Sequence, residues 1–211
     1  MTTITASGTS TSYTPAERAT IRARISIESP DRQRSVSIST QLHTALLARA
    51  VQLREHGDAT WHAAEPLSTA AQLRYPNGTN KPSVTSHLTT STISVKLANL
   101  EIVALIVDEF TRAGAEVTID WALTEASKRE REREARKAAV GDARAVAEDY
   151  ASALGERITE VVSISDRGVS GTHYNAAPRF AAAMSSEAPA EVTIKEITVS
   201  ASVEGIFASH A

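Results

Sequence analysis

The sequence is poor in several residue types, and each scarcity limits what the protein can do. It has no cysteine in 211 residues, which excludes disulfides, thiolate catalysis and cysteine-bound zinc. Aromatic residues make up only 4% of the chain, so a core must be built mainly from aliphatic side chains and alanine. No apolar run approaches the roughly 18 residues of a membrane-spanning helix, so we expect no membrane span.

The chain also lacks a large excess of charge of one sign. The formal net charge is −3, from 22 basic and 25 acidic residues, so no overall field favours nucleic acid or anionic lipid. We therefore expect no nucleic-acid partner. The 42% hydrophobic and 22% charged residues are typical of a globular protein, and the length fits one domain or two small lobes.

Motifs that carry chemistry are missing as well. The six histidines, at 43, 56, 62, 87, 173 and 210, show neither HxH nor HExxH spacing. The many hydroxyls include no GxSxG elbow, and Gly168 and Gly171 lack the lysine of a phosphate loop. The sequence therefore predicts no catalytic residues, no metal site and no cofactor.

The middle of the chain has a regular order of periodic segments. Strict alternation over 18–28 and 115–124 predicts strands with one buried face. Between them we predict a first helix, which begins after Pro30-Asp31, ends at Gly57 and carries Val36 and Leu46 inward. It is followed by strands at 59–67 and 84–97, separated by a loop at 74–83, and by a second helix over 100–113. This order predicts an α+β, ferredoxin-like βαββαβ unit over 18–124, with both helices on one sheet face.

The remaining segments predict a short first strand, a long helix and two further strands. The helix covers 127–154 and ends at Gly155, and its expected apolar seam is Ala135, Ala139, Ala143, Val146, Tyr150 and Leu154. Strands are expected at 4–12, 158–165 and 192–208, with a loop over 167–191. The alternation shifts by one residue in the last strand, which predicts a β-bulge or a bend at Lys195-Glu196.

Three segments resemble the SIMPL-domain family, whose bacterial members include periplasmic immunogenic and oxidative-stress-associated proteins. They are ITASGTSTSYTPAERATIRARIS at 4–26, EREARKAAVGDARAVAEDYASALG at 132–155 and IKEITVSASVEGIFA at 194–208. The resemblance implies a single SIMPL-like domain over 1–211, with lobes at 18–124 and at 125–208 plus 4–12. It supplies no catalytic residues, and it implies self-association into a homo-oligomer.

Two functions remain open at this stage. The first is a non-enzymatic, self-associating scaffold or stress-associated interaction module. The alternative is a small-molecule-binding protein or enzyme with a pocket between the sheet and the third helix. Relatives are often periplasmic or secreted, but the first residues lack the basic and apolar regions of a signal peptide, so we expect a cytoplasmic protein.

A few residues are candidates for ligand or anion contacts. Arg18, Arg22 and Arg24 share one face of a predicted strand, where they either bind an anion or form a solvated sheet face. Trp61 and Trp121 each fall on a predicted strand, where they either line a ligand pocket or fill the core. The charged run at 128–134 is interpreted as an exposed helix face with internal ion pairs such as Arg131–Glu134; the alternative is an electrostatic docking surface, including a contact between subunits.

Overall fold

The computed structural model describes residues 2–74, 83–171 and 192–211, and the helices and strands below are those of this part of the chain. In chain order they are β1 (Thr2–Pro15), β2 (Arg18–Ser29), α1 (Arg32–Glu55), β3 (Ala59–Ala64), β4 (Ser68–Arg74), β5 (Ser83–Leu97), α2 (Val103–Arg112), β6 (Glu116–Ala122), α3 (Glu125–Ala153), β7 (Arg157–Gly171) and β8 (Glu196–His210). The fold is a mixed α/β arrangement of three helices and two antiparallel sheets.

The chain divides into two compact units. The terminal unit contains β1, α3, β7 and β8, which come from the two ends of the sequence. The middle unit contains the elements from β2 to β6.

The sheet of the middle unit is antiparallel throughout, in the order β6-β2-β5, with β3 and β4 both beside the far edge of β5. Strand β2 shows the predicted alternation, and its inward residues Ala19, Ile21, Ala23 and Ile25 have no exposed surface. Both α1 and α2 pack on β2. Since only one face of β2 is buried, the two helices lie on the same face, where Arg49 Nε and Glu109 join them at 3.0 Å.

The strand predicted at 59–67 ends earlier than expected, at Ala64. Pro66 has no amide to donate to a ladder, and the chain leaves the sheet there after Glu65 N donates to Thr92 O at 2.9 Å. Pairing with β5 resumes at Ser68 as a separate strand, β4. Residues 75–82 of the predicted loop lie outside the described residues, whereas positions 74 and 83 belong to β4 and β5.

Helix α1 begins as predicted but buries different residues in its first half. Asp31 caps it by accepting a hydrogen bond from Gln33 N at 2.8 Å. In the first half of the helix, the fully buried residues are Ser35 and Ser39 rather than Val36. Ser35 Oγ donates to Ile27 O at 3.0 Å and lies 2.5 Å from Thr89 Oγ1, so hydroxyl partners on the sheet satisfy a polar side chain in this position.

The terminal unit is a three-stranded sheet in the order β1-β8-β7, with α3 on one face. The register between β1 and β8 is unbroken from Thr2↔Ser209 to Pro15↔Glu196, and Ala16 N continues it by donating to Lys195 O. The bulge or bend predicted at Lys195-Glu196 therefore does not interrupt this pairing. The alternation shifts there because β8 begins at Glu196 and Ile194 lies before it, 44% exposed. Strand β7 runs to Gly171, beyond the predicted end at 165, and residues 172–191 of the predicted loop lie outside the described residues.

Helix α3 ends at Ala153, and Gly155 adopts the predicted left-handed conformation, with a φ of 72°. Its buried row consists of five alanines spaced four apart: Ala135, Ala139, Ala143, Ala147 and Ala151. The prediction that Val146, Tyr150 and Leu154 complete the seam is wrong. Tyr150 is 56% and Leu154 62% exposed, and Val146 is only half-buried.

Close approach between α3 and β1 explains the alanine row. A Cβ atom on Gly8 would lie 2.1 Å from Ala139 O and 2.2 Å from Ala143 N, so helix backbone and strand are in direct contact. Only small side chains fit between elements this close. The opposite face of the helix is exposed along most of 128–134, as predicted, and Arg131 pairs with Glu134 at 2.7 Å.

Two glycine-to-alanine substitutions test this contact. Gly8→Ala should destabilise the protein by about 3 kcal/mol, because the new methyl group overlaps the α3 backbone. Gly141→Ala is the matched control: nothing lies within 4 Å of its added Cβ, so it should stabilise the helix by about 0.5–1 kcal/mol. Urea denaturation measures both free energies, and equal effects would contradict the close contact.

Candidate functional site

The three arginines and Trp61 lie on the same face of the middle-unit sheet, the one opposite α1 and α2. Trp61 is paired with Lys96, and Lys96 with Thr20, which places Trp61 on the side of the even-numbered residues of β2. Trp61 is 45% exposed, and Lys96 Nζ lies 6.0 Å from its ring centroid, within cation–π range. The structure therefore brings four of the five candidate residues to one solvent-facing surface.

Trp121 does not belong to that surface. It is paired with Ala19, which has no exposed surface, so it points to the helix-covered face, where it is 5% exposed. The core-packing interpretation holds for Trp121, and the two tryptophans do not line a common site.

Acidic groups and backbone oxygens accompany the arginines. Arg22 Nη1 lies 3.1 Å from Asp120 Oδ2, Arg18 Nη1 donates to Glu17 O at 2.7 Å, and Arg24 is in register with Glu116 on β6. The open face thus has mixed charge, with no concentration of cations that would favour a polyanion. Within the described ranges, no group of three or more His, Asp or Glu side chains is placed to hold a metal ion.

A serine–histidine pair that sequence reasoning missed lies between α1 and β5. His43 Nδ1 is 2.9 Å from Ser91 Oγ, a distance at which a histidine can activate a nucleophile. Ser91 Oγ, however, donates its single proton to Glu65 O at 2.7 Å, so His43 Nδ1 is the donor in the pair. Ser91 is also 4% exposed, and the arrangement fixes the break between β3 and β4 instead of preparing a nucleophile.

Glu156 lies beside a cavity of about 460 Å³ at the C-terminal end of α3. The lining residues are Glu148, Ser152, Gly155, Glu156, Arg157 and Ile158. Hydrogen bonds from Ser209 Oγ at 2.5 Å and Thr2 Oγ1 at 2.9 Å favour the ionised carboxylate and lower the pKa of Glu156. The cavity lies at the last turns of α3 and the residues that follow them, whereas at Gly8 the helix contacts the sheet directly.

The outer edge of β1 is the most distinctive surface of the terminal unit. Even-numbered amides of this region point towards β8, as Ala16 N does when it donates to Lys195 O at 2.9 Å. Odd-numbered amides therefore point outwards, and Thr9 N donates at 2.8 Å to Asp142 Oδ2 of α3. Asp142 thus reaches around the sheet edge and shows which flank of α3 faces that edge.

Apolar side chains continue along the same flank of α3. Val146 and Tyr150 follow Asp142 by one and two helical turns, so they lie near the same edge. Tyr150 is 56% exposed. We call the outer edge of β1, together with Asp142, Val146 and Tyr150, the β1-edge surface.

Sequence reasoning placed Val146 and Tyr150 in the core and did not single out Asp142. A signal for this surface was nevertheless present, because TTITASGTSTSYTP contains no charged residue over the 14 residues of β1. Exposed edge strands usually carry charges that prevent pairing with another chain.

Comparison with protein families places this α+β chain in a known group. The model of the SIMPL family, described as a protein of unknown function (DUF541), matches residues 4–207. The chain belongs to the SIMPL family, as the resemblance of its three segments predicted. No curated protein matches the sequence.

Two solved structures show weak likenesses. The de novo designed protein Foldit4 is 12% identical over 52% of this chain and 100% of its own, with a TM-score of 0.24. A Burkholderia cenocepacia crystal structure, of a protein given as a candidate amidohydrolase/peptidase, is 10% identical over 65% of this chain and 35% of its own, with a TM-score of 0.20. Neither score supports a conclusion about fold or activity. Among the described residues, no helix combines the length and apolarity needed to cross a membrane.

The two tryptophans should respond differently to truncation. Trp121→Ala should cost about 3–5 kcal/mol of unfolding free energy, because it empties a large buried volume. Trp61→Ala should cost less than about 1 kcal/mol, since its ring is half-exposed and loses mainly the contact with Lys96. Chemical denaturation of both variants checks the assignment of the sheet faces, which similar losses would contradict.

Glu156 should make stability depend on pH in the acidic range. Its pKa is lowered from 4.5 in the folded state, so the carboxylate stabilises the fold above 4.5 and this contribution disappears as pH falls through the folded pKa. Glu156→Gln should therefore lower the melting temperature at neutral pH, and the difference should shrink below pH 4.5. Ser209→Ala, which removes the hydrogen bond with the largest effect, should weaken the same pH dependence. A difference in melting temperature that does not change with pH would refute this account.

Proposed function

We propose that the protein is a non-enzymatic, self-associating member of the SIMPL family that acts as a scaffold or stress-associated interaction module. The observation that carries this proposal is the β1-edge surface. It combines a long uncharged sheet edge with half-exposed apolar side chains on the neighbouring helix flank.

Two other edge strands, β7 and β6, have features that discourage pairing. Strand β7 carries Arg157, Glu160 and Asp166, and its pairing with β8 shifts register at three places. Strand β6 has seven residues, two of them acidic. Charges, irregularities and short length are the usual protections of an edge strand, and β1 has none of them along its 14 residues. The contrast supports a partner at β1.

An exposed aromatic side chain supports a protein partner. Tyrosine is enriched at the centres of protein interfaces because it buries a large area with few rotatable bonds. Tyr150 is one of the four tyrosines in an aromatic-poor chain and is more than half exposed on this surface. His43 and Ser91 are spaced like the residues of an active site, but their hydrogen bonds hold the fold together. This supports a binding role over catalysis.

A specific observation favours the alternative of a small-molecule-binding protein. The cavity beside Glu156 is large enough for a small ligand and offers a carboxylate of lowered pKa. Its lining is more polar than that of a typical ligand pocket, so self-association remains the function that we propose first.

We also propose that the middle unit is ferredoxin-like and that the two units are lobes of one SIMPL domain. The order β6-β2-β5-β3, with all neighbours antiparallel and both helices on one face, supports the first proposal. The family match over 4–207 spans both units and supports the second.

Mass measurement across a dilution series tests self-association. Light scattering on the intact chain should give a multiple of 22.5 kDa at tens of micromolar, falling towards one chain on dilution. A constant mass of one chain over the whole series would refute the proposal and favour the small-molecule alternative.

A further inference from the structure

We infer that the partner at the β1-edge surface is a second copy of this chain, paired antiparallel through Thr3–Ser7 of β1 about a twofold axis at Thr5. The inference rests on the proposed self-association and gives it a place and a symmetry. The pairing joins the two three-stranded sheets of the terminal units into one continuous sheet.

The direction of the backbone amides selects the paired segment. Since Thr9 N points away from β8, the amides of Thr3, Thr5 and Ser7 point the same way. Thr9 N donates to Asp142, so this carboxylate occupies the edge at the position where pairing through Thr3–Ser7 would end. Pairing centred at Thr5 uses the part of the edge that Asp142 leaves accessible.

The composition of β1 suits a twofold partner. In an antiparallel pair about a twofold axis, the residue on the axis lies opposite its own counterpart, and the residues next to the axis lie close to theirs. A charged residue near the axis would therefore face the same charge, which destabilises a sheet. β1 has no charged residue, and Thr3, Thr5 and Ser7 place exposed hydroxyl side chains opposite one another. A second copy is thus electrostatically compatible with this edge.

The position of α3 extends the contact beyond the backbone. A twofold axis perpendicular to the joined sheet keeps both α3 helices on the same face, side by side across the axis. Strands in a sheet are about 4.8 Å apart and packed helices about 8–10 Å, so each α3 fits if it lies over β1 and β8 rather than over β1 alone. It packs against both strands. The flanks that meet carry Val146, which is half-buried in the monomer, and Tyr150, which is 56% exposed.

Single cysteines test the axis directly, because the natural chain has none. Thr5→Cys places two sulfur-bearing residues opposite each other at about 5.5 Å between Cα atoms, within the range of a disulfide. Mild oxidation should give a covalent dimer. Thr11→Cys is the matched control: it lies on the same edge and is also exposed, but it is far from the axis and should remain uncrosslinked.

A proline substitution tests the backbone pairing. Thr5→Pro removes an amide that β8 does not use, so the fold should persist while association is lost. Thr5→Ala keeps the amide and should associate like the natural chain.

Tyr150→Asp gives a second route, since it leaves β1 intact, alters a 56% exposed side chain, and should also abolish association. Circular dichroism and light scattering follow fold and mass.

The outcomes separate this inference from the proposed function. A monomeric natural chain refutes self-association itself. Association that persists in Thr5→Pro and Tyr150→Asp, with Thr5→Cys uncrosslinked, overturns the β1 contact and leaves self-association standing at another surface. If Thr5→Pro fails to fold, crosslinking of Thr5→Cys over Thr11→Cys supports the contact, and its failure overturns it.

Discussion

Direct contact between the backbones of α3 and β1 is the constraint on which the terminal unit depends. At Gly8 the strand lies so close to Ala139 and Ala143 that even one methyl group has no room. Every residue of α3 that faces the sheet along this contact is therefore alanine. The dispersion attraction between closely packed backbones replaces the larger apolar area that leucine or valine would bury.

This contact also determines what the terminal unit exposes. Because the alanine row occupies the sheet-facing side, the larger apolar residues Val146 and Tyr150 are displaced to the flank. The same rotation of the helix brings Asp142 to the outer edge of β1, where it accepts the amide of Thr9. The edge, its partial cover and the apolar flank all result from this one contact, and together they form the surface to which we assign self-association.

The middle unit is packed differently. The second half of α1 buries Leu46, Ala50 and Leu53 against the sheet, whereas the first half buries Ser35 and Ser39. Thr89 of β5 faces the first of these serines, and the hydrogen bond between Ser35 and Thr89 replaces apolar contact. The stability of such a polar interface depends on the direction of its hydrogen bonds as well as on the buried area, since a buried hydroxyl without a hydrogen-bond partner costs free energy.

The sequence by itself determined the family, the order of most elements, and the side of each alternating strand that is buried. Alternation in β2 and the glycine after α3 report local geometry, which depends on neighbours in the chain. The sequence did not determine which helix residues face the sheet. Periodicity favoured Val146 and Tyr150 over Ala147 and Ala151, because hydrophobicity says nothing about the distance between two elements. Only the tertiary structure decided that distance, through Gly8, a residue 131 positions before Ala139 in a different element. The β1-edge surface follows from the same long-range contact. The sequence shows that β1 has no charged residue, but only the tertiary structure brings Asp142, Val146 and Tyr150 beside its edge.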